Sequence, residues 1–289
     1  MKNVLFVLSI ALIVASCSPT KEENGEVAEV VIEASAAPKL VKLWETDTVL
    51  TTNESVLFDA KGMKLYVSNI NGQPLAKDGN GFISTLNLDG SIDKLEWATG
   101  LDAPKGMGIF EGHLYVTDID KVVAIDLTTG EVVKEFKPEK AEFLNDITVS
   151  SDAVYFSDMS LGLIHKIQND ELSTVAEGVT KINGLLAKGD YLMTLDGMGL
   201  RGLNLATKEF MTVTDSIKGG DGLTMLNDSV YIASKWQGEI YYVAGNKAHL
   251  LLTTEGKSQT ADIGLNAAEK IVYVPTFFSN KVIAYKIED

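Results

Sequence analysis

Beyond Leu40 the chain alternates short apolar runs with polar turn residues, and apolar positions spaced for a helix are hard to find. The runs are rich in Val, Ile, Tyr and Leu and are bounded by Gly, Asn and Asp, the pattern of strands joined by tight turns. Six segments are self-similar. In each, a polar residue opens a short apolar strand, a turn follows, and a second apolar strand completes the unit. They start at Glu54 (ESVLFDAKGMKLYVSNI), Lys105 (KGMGIFEGHLYVTDI), Asn145 (NDITVSSDAVYFSDM), Asn183 (NGLLAKGDYLMTLDG), Asp221 (DGLTMLNDSVYIASK) and Asp262 (DIGLNAAEKIVYVPTF). Successive starts lie 38 to 51 residues apart, close to the roughly 40 to 50 residues of one four-stranded propeller blade.

Two weaker strands complete each unit, such as Val122 to Asp126 with Glu131 to Phe136, and Leu163 to Ile167 with Leu172 to Ala176. The pattern predicts an all-β chain with one six-bladed β-propeller over residues 39–289. An extra strand from Val41 to Leu50 would supply the outer strand of the last blade and close the ring. No linker interrupts the repeat, which argues against two domains. The long first interval comes from a Gly-, Asn- and Asp-rich insertion, Asn69 to Gly81, between the second and third strands of blade one.

Ahead of the repeat the pattern changes. Lys2 precedes an apolar run from Val4 to Val14, too short to span a bilayer but suited to the core of a secretory signal. The run ends in Val14-Ala15-Ser16-Cys17, which holds the only cysteine of the chain. This resembles the lipobox of bacterial lipoproteins, which implies a signal peptide at 1–16 and a lipidated Cys17. Residues 17–38 would form an acidic tether, with Glu22, Glu23, Glu26, Glu29 and Glu33 and too little apolar surface to fold. The Lys21-Glu22-Glu23 cluster resembles a surface-export signal. The expected location is the bacterial cell envelope, at the outer membrane, periplasmic or surface-exposed, with membrane contact through the lipid anchor alone.

Charge narrows the partners. Asp and Glu number 40 against 25 Lys and Arg, a net −15. Such a chain repels phosphate backbones, so no nucleic-acid partner is expected. Three histidines leave little room for His-based zinc or triad chemistry. Hard cations, by contrast, favour carboxylate and amide oxygens.

In a propeller the first strand of each blade lines the central channel, so the six opening residues should converge at one mouth. Glu54, Lys105, Asn145, Asn183, Asp221 and Asp262 are all polar, and burying them costs free energy unless something pairs with them. Five carry oxygen donors fit for calcium. The other reading is that N-D, N-G and D-G are turn dipeptides at blade junctions.

Their order and blade spacing resemble the senescence marker protein/gluconolactonase family, whose relatives include luciferin-regenerating-enzyme-like and diisopropyl fluorophosphatase-like propellers. The resemblance covers the chain after the tether. It implies one divalent ion, Ca2+ as a rule, on Glu54 (E-S), Asn145 (F-L-N-D), Asn183 (I-N-G-L) and Asp221 (G-D-G-L). It also implies hydrolysis of a small-molecule lactone or ester whose carbonyl the metal polarises. Asp221 would be the catalytic carboxylate, activating water or attacking directly. Asp146 would orient a ligand or close a turn. Two positions depart from the family: E-G-P is usual where Glu54-Ser55-Val56 stands, and Phe143 replaces an Arg of the sugar-lactone members. These departures point to a more apolar or anionic substrate.

Three further residues are assigned to substrate binding. Lys105 would meet a carboxylate or compete with the ion, Asp262 would offset it, and Trp236 would form an aromatic wall or pack between blades. Asp118, Asp158, Asp196 and Phe278 should border the same mouth, as should Lys77 and Asp78 of the insertion. The competing function is a non-catalytic propeller that binds a ligand or partner and holds a structural ion. Gly197 to Gly202 spells G-x-G-x-x-G but lies where strands are expected, not at a helix start.

Overall fold

A computed structural model describes residues 38–289. The expected signal peptide, Cys17 and nearly all of the expected tether lie outside the described residues. Every regular element among the described residues is a β-strand. The strands form six four-stranded antiparallel sheets. Five are consecutive in sequence and make blades one to five. Their inner strands are Asn53–Asp59, Pro104–Phe110, Leu144–Val149, Leu185–Lys188 and Leu223–Asn227. Blade six has the inner strand Gly264–Asn266 and takes its outer strand, Lys39–Glu45, from the start of the domain. That strand pairs antiparallel with Val282–Glu288 in the register Lys39↔Glu288 to Glu45↔Ile283. The ring closes as the sequence predicts.

Burial explains the strand pattern. Second strands such as Leu65–Val67 and Leu114–Val116 are packed on both faces and read as continuous apolar runs. Outer strands such as Ile92–Leu101 carry mostly exposed residues and mix in charge. The core is a set of layers between blades. Tyr66, Ile83 and Ala98 of blade one meet Met107, Leu114, Val116, Val123 and Ile125 of blade two. Removing one such side chain, for example Leu114→Ala, costs about 3 kcal/mol because the sheets on either side cannot collapse into the gap.

The closing strand is also pinned to blade one. Trp44 donates its indole N–H to the Leu88 carbonyl at 3.0 Å and lies against Tyr273, with ring centroids 5.9 Å apart. Gly90, at φ +87°, gives the indole its place, since a Cβ there would sit 2.6 Å from the ring.

Candidate functional site at the channel

The inner strands begin at the upper mouth of the channel, and those of blades one to five begin irregularly. In blade one, pairing passes from Asn53↔Asn69 to Val56↔Val67, so Glu54 and Ser55 face the single residue Ser68. Blades two and three repeat this, with Lys105 and Gly106 opposite Thr117, and Asn145 and Asp146 opposite Ser157. Blades four and five do the same through backbone bonds that set Asn183 and Gly184 against Leu195, and Asp221 and Gly222 against Ser234. These are β-bulges, which turn side chains out of the pleat. The hydroxyl opposite the bulge satisfies the displaced backbone. Ser68 accepts from the Ser55 N–H (2.9 Å), Ser157 from Asp146 (3.0 Å) and Ser234 from Gly222 (2.8 Å). Thr117 donates to the Asn145 carbonyl. Sequence reasoning missed these hydroxyls, although a Ser or Thr recurs near the end of every second strand.

The glycines beside the candidate ligands are not turn residues. None of Gly106, Gly184 and Gly222 has a positive φ. Each lets the next blade approach. A methyl on Gly106 would lie 2.6 Å from the Asn145 carbonyl oxygen, and one on Gly184 would overlap the Asp221 carbonyl. The turn-dipeptide explanation of N-G and D-G therefore fails; close packing of inner strands explains them.

The bulges bring the candidate residues together. Glu54, Lys105, Asn145 and Asp221 are all buried, and Asn183 is partly exposed. Asn183 donates its amide N–H to Asp221 Oδ1 at 2.9 Å across adjacent blades. Asn145 turns its amide nitrogen toward Met159 Sδ, 3.9 Å away. Of the candidate ligands' side-chain oxygens, Glu54 Oε2 and Asn183 Oδ1 are buried with no partner. Lower in the channel, Ser55 donates to Asp262 Oδ2 at 2.5 Å. Asp146 accepts from the N–H groups of Ile147 (2.6 Å) and Leu185 (2.5 Å), so it ties blade three to blade four.

Electrostatics follow from this crowding. Burial first, then Asp221 and Asp262, push the Glu54 carboxyl well above its usual range. Burial and then Asp262 do the same to Asp146, against the opposing N–H groups of Leu185 and Ile147. Asp221 is pushed up to about 7 by burial and Asp262, against the Asn183 hydrogen bond, and Asp262 to about 7 by burial, against that of Ser55. Lys105 is drawn down to about 8 by burial, with Glu54 and Asp118 opposing. Its ammonium donates to the Ala103 carbonyl at 2.8 Å and sits 5.0 Å from the centre of the Phe143 ring. Four carboxyls thus share the channel with one lysine.

The donor set fits a hard divalent cation: two carboxylates and two amide oxygens, two of these atoms lacking any other partner. Among the described residues no three His, Cys, Asp or Glu side chains are grouped to hold an ion, so the amides are essential to such a site.

The rim differs from expectation. Asp118, Asp158 and Asp196 do not face the mouth; each is fully buried and caps backbone. Asp118 accepts from Asp102 and Ala103, Asp158 from Glu142 and Leu161, and Asp196 from Met198 and Arg201. Lys77 is engaged with Asp120 at 2.8 Å. The next residues along these loops are Ile70, Ile119, Met159, Gly197, Trp236 and Phe277, one per blade. Ile70, Ile119 and Phe277 pack with Ala103 and Ala261 in a buried apolar cluster over blades six, one and two. Ile119 and Phe277 hold φ of +60° and +51°, costly for such side chains. Trp236 stacks edge-on against Phe277 and Phe278, at 5.7 and 6.2 Å, and Trp236 and Phe278 remain exposed.

No protein-family model matches the chain, and no curated protein matches it. Solved structures do. The chain is similar to a streptogramin B lyase at 14% identity with TM-score 0.63, covering 87% of this chain and 97% of that one. A catalytically inactive virginiamycin B lyase from Staphylococcus aureus with quinupristin matches at 14% and 0.60, covering 86% and 98%. A chain of a nidogen/laminin complex matches at 14% and 0.61, covering 74% and 85%. One set comprises enzymes and the other a protein-binding assembly, so the likeness establishes the propeller fold and leaves the chemistry to the site.

Proposed function

We propose that this chain is an exported, lipid-anchored hydrolase of lactones or esters that works with a divalent cation, Ca2+, at the upper mouth of its channel. The observation that carries this reading is the pair of partnerless buried oxygens, Glu54 Oε2 and Asn183 Oδ1, in the same ring as Asn145 and Asp221. A buried acceptor without a donor is costly, and a cation removes that cost. Glu54, Asn145, Asn183 and Asp221 would hold the ion, which when bound polarises a carbonyl and offsets charge on its oxygen.

The chain's own groups supply the rest. Asn183 fixes Asp221 through Oδ1, leaving Oδ2 to accept the proton of an attacking water. Glu54 and Asn145 sit within their inner strands, and Asn183 and Asp221 sit two residues ahead of theirs, tied by backbone hydrogen bonds to Leu195 and Ser234, which limits their motion. Trp236 and Phe278 form an exposed aromatic edge for the body of the substrate. The buried apolar cluster of Ile70, Ile119 and Phe277 would limit water at the rim of blades six, one and two.

One observation supports the second reading, a binding propeller with a structural ion. Lys105 is 1% exposed and faces Glu54 from blade two, a built-in cation beside the site. Calorimetric calcium titration of chelator-stripped protein separates the outcomes. One-to-one binding that Asn183→Ala weakens at least tenfold is expected, and hydrolysis of lactone or ester substrates should then depend on calcium. Absence of calcium binding would remove the proposed site; calcium binding without turnover of any substrate would favour the second reading.

A further inference from the structure

A cavity of about 540 Å³ opens at the lower mouth, where the inner strands end. It is of the size that takes drug-sized molecules. Leu57, Ile109, Val149, Leu186, Met225 and Leu265, one from each blade, contribute to its wall. Its closed end is formed by Ser55, Asp146 and Asp262. None of the four candidate ion ligands lines it. We infer that this lower mouth binds a small amphiphile with an apolar body and a cationic, hydrogen-bond-donating head, an alkyl- or arylalkylammonium.

The cavity is a largely apolar shaft that ends in the carboxyls of Asp146 and Asp262. Asp146 spends both oxygens on backbone N–H groups, so it offers a ligand no free acceptor. Asp262 spends Oδ2 on Ser55, while Oδ1 lies over Gly222 and is left for a ligand. A neutral apolar guest would gain from the wall but leave this carboxylate desolvated. An anionic guest would meet both acids. An ammonium donates to Asp262 while its chain covers the six-sided wall, and so satisfies both parts of the cavity.

Titration calorimetry on the whole protein in calcium, with n-octylamine, n-octanol and octanoate below their aggregation concentrations, tests this. The amine should bind one-to-one and at least tenfold more tightly than the alcohol, and octanoate should not bind. Asp262→Asn keeps the geometry facing Ser55 and should lower amine affinity at least tenfold while leaving the alcohol unchanged. Thr224→Trp, which fills the shaft from its wall, should abolish binding of both. No amine binding by the parent protein, an amine preference below tenfold, or an unaffected Asp262→Asn variant would each overturn the inference. If Asp262→Asn does not fold, the ligand series and Thr224→Trp decide it alone.

Discussion

At the upper mouth the inner strands are bulged, polar and crowded, and leave side-chain oxygens unpaired; toward the lower mouth the same strands run regularly in every blade but the fifth, turn apolar and leave open space. A bulge takes two successive residues out of the alternating pleat, so Glu54 and Ser55, or Asn145 and Asp146, can both present polar groups within the channel. Below it the pleat resumes, and apolar residues such as Leu57 and Val149 line the cavity. The lesson is that a repeated backbone irregularity, more than any single side chain, decides which end of a propeller channel is able to do chemistry.

The largest expected effect separates the mouths by activity. Asp221→Asn should lower turnover by about 10³-fold, while Thr224→Trp at the lower mouth should change it less than twofold. Steady-state kinetics on one lactone or ester substrate checks both, and equal losses would dissolve the distinction. Crowding comes next. Gly222→Ala drives a methyl against the Asp262 backbone and should destabilise folding by about 3 kcal/mol, whereas Thr224→Ala should cost under about 1 kcal/mol by urea denaturation.

The third effect is a dependence on pH. Asp221 and Asp262 titrate near 7 in the fold and near their ordinary value of 3.8 when unfolded. The folded state therefore holds their protons more tightly. That stabilisation is complete below about pH 4 and is lost as the pH rises through 7. Calcium-free protein should lose stability from pH 5 to 8, and saturating calcium should reverse the trend, since the ion binds the ionised carboxylates. Denaturant midpoints across that range, with calcium and with chelator, measure it. The smallest effect is at the rim. Trp236→Ala should raise KM severalfold with kcat unchanged and should leave the octylamine affinity of the lower mouth alone.

Much of this was legible in the sequence because a propeller repeats. The blade spacing located Glu54, Lys105 and Asn145 on their inner strands and Asn183, Asp221 and Asp262 two residues ahead of theirs, and the strand expected from Val41 to Leu50 is the one that closes blade six, shifted to Lys39–Glu45. Three things were not legible. Gly184 and Gly222 look like turn glycines, because a sequence does not show the neighbouring blade against which they pack. Asp118, Asp158 and Asp196 look like mouth-lining acids, but the first two are consumed by loop N–H groups, and Asp196 by the Met198 N–H, the Thr194 hydroxyl and the Arg201 guanidinium, donors whose approach the sequence does not show. The cavity was hidden because Leu57, Ile109 and Val149 have the composition of core residues, and whether such residues meet each other or empty space depends on the width of the channel.

The clasp in blade six has a kinetic consequence. The register Lys39↔Glu288 joins the first strand of the domain to its last, so this contact has nearly the largest sequence separation the chain allows. A nascent chain carries its first strand unpaired until the end of synthesis, and closure pays the loop entropy of the whole ring at once. Once Trp44 has seated over Gly90, that same separation works in reverse. Blade six then cannot open without freeing both ends of the domain, and slow, concerted hydrogen exchange across its sheet is the signature to expect.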